Sequence, residues 1–305
     1  MNSLFYIKVK VGKFIANMIS AMVFNRDHRH SLRRSLDPLN PERCVRYLEN
    51  HYAQVPALAA DERMGFDNTI WVCWLQGISQ APQLVQNCIH SIESHKQKNQ
   101  HVVVLTNDNY VDYLDLPEWI ITKWKRGIIT NTHFSDILRI HLLAYYGGCW
   151  IDATCFQMAP IPLQILQSPL FLFRSHGEFS FTYIQSCFMV SKPNNYVMRK
   201  WCAAIRAYWK KENMLINYFT LHLMFIALLQ QDKKFKEEFE KVAVISDEPA
   251  HLFLREMMSN GVYSADLIEK GKRAFFFQKL TYKFPAYLLD KADSLASYFS
   301  QPIFK

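Results

Sequence analysis

HFSDILRIHLLAYYGGCWIDATC, residues 133–155, decides the fold of this 305-residue chain. Phe134, Ile137, Leu138, Leu142 and Tyr145 recur at helical spacing and form a stripe that can pack against a core. Asp136 and Arg139 lie off that stripe, three residues apart, close enough on a helix to meet each other or to point at one ligand. Gly147 and Gly148 end the helix, because glycine tolerates the left-handed conformation of C-terminal caps. CWID then predicts a short buried strand, and a carboxylate at the end of such a strand, Asp152, emerges where open α/β sheets place their ligands. Two plainer readings stand beside this one. Asp136 and Arg139 make a surface ion pair contributing about 0.2–0.5 kcal/mol, and Asp152 is a turn residue.

The whole string, FSDILRxxLLxxYGGxWIDAT over residues 134–154, closely resembles the signature of the capsular polysaccharide synthesis proteins, bacterial sugar transferases related to glycosyltransferase family 32. The resemblance implies an α/β fold of the GT-A type, a Rossmann-like, mostly parallel central sheet flanked by helices that binds a nucleotide sugar. It also implies that Asp136 and Arg139 contact the hydroxyls of the donor sugar, with Arg139 able to reach a phosphate through its planar fork of donors. Asp152 would bind metal, ribose or sugar. In the related GT-A enzymes an Asp-x-Asp motif at this strand end usually holds a divalent metal against the phosphates. Here it reads Asp152-Ala153-Thr154, so Mn²⁺ or Mg²⁺ would rest on one carboxylate and the neutral hydroxyl of Thr154. Relatives of this type retain the anomeric configuration.

Composition narrows the remaining choices. Half of the residues are hydrophobic, ample for a large core. No run of eighteen apolar residues predicts a membrane-crossing helix. VGKFIANMISAMVF, residues 11–24, follows or contains Lys8, Lys10 and Lys13 and leads into NRDHRHSLRRSL without a small-residue cleavage site. It reads as an interfacial helix or as an ordinary buried one. Seven cysteines lack any CxxC pair and fit reduced core residues of a cytosolic protein. The net charge of +8 is partly concentrated between Arg26 and Arg34, a run that attracts anionic surfaces. With no zinc-finger spacing, RNA-binding motif or basic helix-turn-helix pattern, an acidic membrane carrying a lipid-linked acceptor is a more coherent partner than nucleic acid.

Along the chain, TIWVCWL (residues 69–75) and HVVVLT (residues 101–106) predict two buried strands on either side of a helix that begins at Pro82. Trp74 and Gln76 after the first strand, and Asn107 and Asp108 after the second, are nucleotide-contact candidates; the alternatives are core packing for Trp74 and a turn for Asn107-Asp108-Asn109. No GxGxxG or Walker A loop is present, which argues against a dinucleotide or P-loop enzyme. Residues 170–174 and 186–190 read as two more strands, and residues 195–231 as helical.

Three later segments extend the resemblance. NYFTLH (residues 217–222) is similar to a recurring DYFLFH-like segment and raises His222 from a core histidine to a site candidate. ISDEPAHLF (residues 245–253) resembles a segment ending in Pro-x-His, with Asp247 and His251 as its polar members. FFFQKLTYKF (residues 275–284) is similar to an HKLTYK-like segment and keeps Lys279 and Lys283, which would neutralise a departing diphosphate or be plain surface lysines. The expected organisation is a helical, membrane-associating segment over residues 1–66, a transferase domain over 67–255 and an extension over 256–305 that completes the donor site. The expected function is transfer of a sugar from a nucleotide-diphosphate donor, UDP-linked, to a glycan or lipid-linked oligosaccharide in capsule or lipopolysaccharide (O-antigen) assembly, at the cytoplasmic face of the membrane. The rival readings are a non-catalytic nucleotide-sugar or glycan-binding protein and a membrane-associated assembly partner.

Overall fold

The structure, a computed structural model, describes residues 11–22 except 13 and 16, residue 37, and residues 39–60, 68–259 and 261–304. Its centre is a six-stranded sheet in the order β2-β1-β3-β6-β5-β7. The strands are β1 (Thr69–Cys73), β2 (His101–Leu105), β3 (Gly148–Ile151), β5 (Leu170–Arg174), β6 (Ile184–Ser191) and β7 (Ile245–Ser246). Strand β1 runs parallel to β2 and β3, and β5 runs parallel to β7; β6 lies antiparallel to both β3 and β5. Only the direction of β6 departs from an otherwise parallel sheet. A separate antiparallel pair joins β4 (Cys155–Gln157) to β8 (Phe277–Lys279).

Both faces of the sheet are buried, which is why its strands read as continuous apolar runs rather than as alternating ones. Trp71, Trp150, Leu172 and Met189 enter one core, where α1 (Pro41–Tyr52), α4 (Asn131–Tyr145), α6 (Tyr196–Lys211) and α7 (Thr220–Gln231) pack. Ile70, Val72, Cys149, Ile151, Phe173 and Phe188 enter the other, which holds α2 (Gln83–His95), α9 (Leu252–Met258) and α11 (Leu295–Phe299). Between these lie α3 (Glu118–Lys125), α5 (Leu163–Gln167), α8 (Lys233–Glu240) and α10 (Ala265–Ala274). The expected α/β fold with a mostly parallel sheet flanked by helices is therefore the observed one. The cysteines are all free, and all but Cys73 are buried.

Several boundaries differ from expectation for local reasons. Strand β1 stops at Cys73, short of Trp74 and Leu75, because the chain turns there and the Gly77 amide donates to the Trp74 carbonyl. Strands β4, β7 and β8 had no sequence prediction, being two or three residues long. The basic run from Arg26 to Arg34, and Lys8, Lys10 and Lys13, lie outside the described residues. No helix among the described residues is long and apolar enough to cross a membrane.

The helix-Gly-Gly-strand transition is closely packed. Thr130 caps α4, its hydroxyl accepting from the His133 amide. At the other end Gly147 takes a φ of 69°, and a Cβ there would lie 2.6 Å from the Ser191 carbonyl oxygen and 2.7 Å from Pro193. Strand β3 can pair with β6 only because this position carries no side chain. Gly147→Ala is expected to destabilise the fold by more than about 2 kcal/mol, combining the left-handed backbone cost with overpacking; urea unfolding of variant and parent measures the difference.

Candidate active site

The C-terminal ends of β1 and β3 open into one cavity of about 570 Å³, within the size range of small-molecule sites. Parallel strands deliver their following loops to the same edge, so Trp74 and Gln76 after β1 meet Asp152, Ala153 and Thr154 after β3. Helix α4 lays Ser135 and Arg139 along one wall, the segment before α7 adds Tyr218 and Phe219, and the first turn of α7 adds His222. The remaining wall is Lys279 to Lys283, which leaves β8 beside Thr154 because β8 pairs with β4.

Charge at the cavity floor is arranged around Asp152. One carboxylate oxygen, Oδ1, accepts from Arg139 Nη2 at 2.9 Å and from Trp150 Nε1 at 2.9 Å; the other, Oδ2, accepts from Lys279 Nζ at 3.0 Å. Lys279 also donates to Thr154 Oγ1 at 2.5 Å. Arg139 continues to Asp136 at 3.1 Å and lies over the Trp150 ring at 4.8 Å. Burial would raise the Asp152 carboxyl, but Lys279 and Arg139 outweigh it and hold the group well below the usual carboxylate range. Burial would likewise lower Lys279, and Asp152 reverses this, so the ammonium is held charged. Asp136 moves up, because its burial exceeds the pull of Arg139 and His133.

Three buried polar atoms at this cavity have no hydrogen-bond partner: Trp74 Nε1, Arg139 Nε and His222 Nδ1. Buried polar groups are rarely left this way, and a ligand in the cavity would supply their partners. His222 is held neutral, its pKa pushed down to about 3 by burial and then by Arg139. A neutral imidazole offers one donor and one acceptor, suited to a hydroxyl-bearing ligand. Opposite it, Trp74 meets Tyr282 edge to face with ring centroids 5.5 Å apart.

Most of the residues expected from the sequence gather here. Asp152, Arg139, Trp74, Gln76, His222, His251, Lys279, Lys283 and Thr154 line the cavity, and Asp136 stands behind Arg139. Asp247 lies one layer out, its carbonyl 2.7 Å from His251 Nδ1. Burial would lower His251, but Cys187 and Asp247 raise it. Asn107 and Asp108 do not line the cavity. They are exposed in the turn after β2, where the Asn107 amide donates to the Leu75 carbonyl and the Asp108 amide to Thr106 Oγ1. That is the turn reading of this segment, with Asn109 fastening it through Val104 and Thr106. The sequence does not single out Trp150 or Tyr282 as site residues, although both lie inside the quoted motifs and line the cavity. Nor does it single out Gln185, Ser186 and Cys187, which β6 brings to the cavity wall without any local signal.

The divalent ion implied by the Asp-x-Asp resemblance does not fit these residues. Both Asp152 oxygens and the Thr154 hydroxyl are engaged by Arg139, Trp150 and Lys279. Among the described residues no group of three or more His, Cys, Asp or Glu side chains is placed to hold a metal.

Residues 38–301 match the family model for the capsular polysaccharide synthesis protein. The chain belongs to that family. Over 98 residues this family member is 32% identical to the O-glycosyltransferase braB of Annulohypoxylon truncatum, a stretch covering 30% of this chain and 23% of that protein. The chain thus spans less than a quarter of the length of that curated relative. Among solved structures it is similar to the PaToxG Glycosyltransferase, at 13% identity and a TM-score of 0.40, over 88% of this chain and 100% of that one.

The neutrality of His222 has a measurable consequence. An unfolded histidine titrates near about 6.5, so between there and about 3 the unfolded chain binds a proton that the native site refuses, and stability falls as pH drops through this window. Buried His141, also pushed down to about 3, adds a second slope of the same sign. His222→Gln is expected to remove its share only, so the stability difference between parent and variant shrinks from about pH 7 to about pH 4.5 in urea titrations.

Proposed function

We propose that this capsular polysaccharide synthesis family member is a glycosyltransferase that moves a sugar, a hexose in this reading, from a UDP-linked donor to a glycan or lipid-linked oligosaccharide in capsule or lipopolysaccharide (O-antigen) assembly. The observation that carries the reading is the convergence of two cations, three unpartnered polar atoms and an aromatic pair on one cavity at the ends of parallel strands. Such a cavity complements a molecule with an aromatic base, a diphosphate and a hydroxyl-rich ring.

Sugar transfer breaks the bond between the anomeric carbon and the diphosphate oxygen, and the nucleotide diphosphate leaves with the electron pair. The acceptor hydroxyl forms the new bond to the anomeric carbon and gives up its proton to the departing diphosphate oxygen. Arg139 and Lys279 oppose the negative charge that grows on the leaving group, and fixed charges in a buried site do so without reorganising. Trp74 and Tyr282 offer ring faces and edges to the base, His222 addresses the sugar hydroxyls, and Asp136 holds Arg139 from behind instead of contacting the sugar as the resemblance implies. Asp152 is engaged by three donors and serves as their anchor rather than as a nucleophile. Retention at the anomeric carbon is carried over from the family resemblance. A peripheral position on the cytoplasmic face of the membrane is supported by Phe14, Ile15, Met18 and Ile19, whose side chains are exposed in the helical residues near the start of the chain.

A nucleotide-sugar-binding protein without transfer activity is the second reading, favoured by Thr154 standing where a second carboxylate is usual. Melting temperatures against UDP, GDP and CMP sugars test the donor site first. A ligand at a hundred times its dissociation constant adds about 2.7 kcal/mol, or a few degrees. A UDP-selective rise that is lost in Asp152→Ala is expected. A folded protein that responds to no nucleotide overturns the donor-site reading, and UDP-sugar binding without transfer to any glycan acceptor favours the binding protein.

A further inference from the structure

The position that the Asp-x-Asp resemblance reserves for a metal is filled by a side chain. Lys279 Nζ sits 3.0 Å from Asp152 Oδ2 and 2.5 Å from Thr154 Oγ1, so it bridges the first and third positions of Asp152-Ala153-Thr154. The bridge is not an accident of a mobile side chain. Lys279 ends β8, whose pairing with β4 sets Lys279 opposite Cys155, the residue after Thr154. The adjacent Gln278 is fully buried and fixes the strand, donating to the carbonyls of Pro249 and Gly271 and accepting from the Phe253 amide. The lysine side chain is 17% exposed and lines the cavity.

Charge and valence both speak against an additional ion. Asp152 already carries Arg139 at 2.9 Å and Lys279 at 3.0 Å, so a dication entering there would meet two fixed positive charges within a few ångströms and one carboxylate. Hard divalent cations take six or more oxygen ligands, and Mg²⁺ sites of this kind lean on one or two free carboxylates. Of the roughly four acceptor sites of the Asp152 carboxylate, three are taken by Arg139, Trp150 and Lys279, and Asp136 is turned to Arg139. A lysine, by contrast, has three N–H donors. Asp152 and Thr154 take two of them, which leaves one for an incoming oxygen from the cavity. Replacing Asp by Thr at the third position fits the same logic: a hydroxyl orients an ammonium without adding a second negative charge that would repel a phosphate.

Resting on the reading that this cavity takes a nucleoside diphosphate, we propose that the ε-ammonium of Lys279 is the built-in counter-cation of the diphosphate and that donor binding needs no divalent metal. The carboxylate of Asp152 then anchors two protein cations, Lys279 and Arg139, where in an Asp-x-Asp site it would ligate an ion. Lys279 is a catalytic residue in this scheme, since it touches the leaving group. Asp152 is a positioning residue.

The test is calorimetric titration of UDP into metal-stripped protein, once in EDTA and once with Mn²⁺. Affinities agreeing within about twofold are expected, because no ion takes part. Lys279→Ala is expected to weaken UDP binding by about ten- to a hundredfold in both buffers, the worth of a charge-assisted contact. Lys279→Met, which keeps an unbranched apolar stem, repeats the loss where the alanine variant fails to fold. Lys279→Arg, which restores the charge, is expected to recover part of it. UDP binding that appears only with Mn²⁺ overturns the inference and leaves the nucleotide-sugar reading standing. Binding of UDP equally well by folded Lys279→Met overturns it too. A parent protein that binds no UDP in either buffer overturns the donor-site reading itself, and the inference with it.

Discussion

The structure of the site depends on how Asp152 is neutralised. The Asp152 carboxylate stands partly exposed at the cavity floor, and Arg139, Trp150 and Lys279 meet its charge from three sides. Removing one member of such a cluster leaves the others without their counter-charge. Two of the donors come from α4 and β3, neighbours in the chain, and the third from β8, more than a hundred residues further on. The cluster therefore ties the helix of the central motif and the C-terminal strand to the end of the sheet, and it makes the cavity possible.

The sheet supplies the frame for this arrangement. Because β1 and β3 are parallel neighbours, the loops that leave them lie side by side at one edge. Antiparallel β6 brings Gln185, Ser186 and Cys187 to the same edge from its starting end. Burial of both faces keeps the frame rigid, with Trp71 and Trp150 on one side and Ile70 and Ile151 on the other. A rigid frame lets polar atoms such as Trp74 Nε1 and Arg139 Nε stay unpartnered, since the surrounding backbone does not collapse to satisfy them.

Much of this was legible in residues 133–155, and the reason is local. Helical periodicity, a glycine pair and a short apolar strand each report on neighbours in sequence, so α4, the Gly147 turn and β3 fall where the pattern puts them. The four-residue strand after the turn is readable because its place is set by the glycines. Strands β4 and β8 are not readable, because a three-residue strand has too little pattern to distinguish it from loop. Asn107 and Asp108 show the opposite error. Polar residues after a strand look alike whether they face a ligand or form a turn; here the Asn107 and Asp108 backbone amides close a turn and their side chains stay exposed, away from the cavity.

The sequence by itself determined the α/β class, the helix that carries Asp136 and Arg139, and the strand end that presents Asp152. Those follow from periodicity and from glycine's conformational freedom, which act over a few residues. Only the tertiary structure decided what Asp152 does. Its partner Lys279 is 127 residues away, and the pairing of β8 with β4 sets that lysine against Thr154 in the place where the motif alone implied a metal. Which charge neutralises a buried carboxylate depends on distances in space, and a one-dimensional pattern does not contain them.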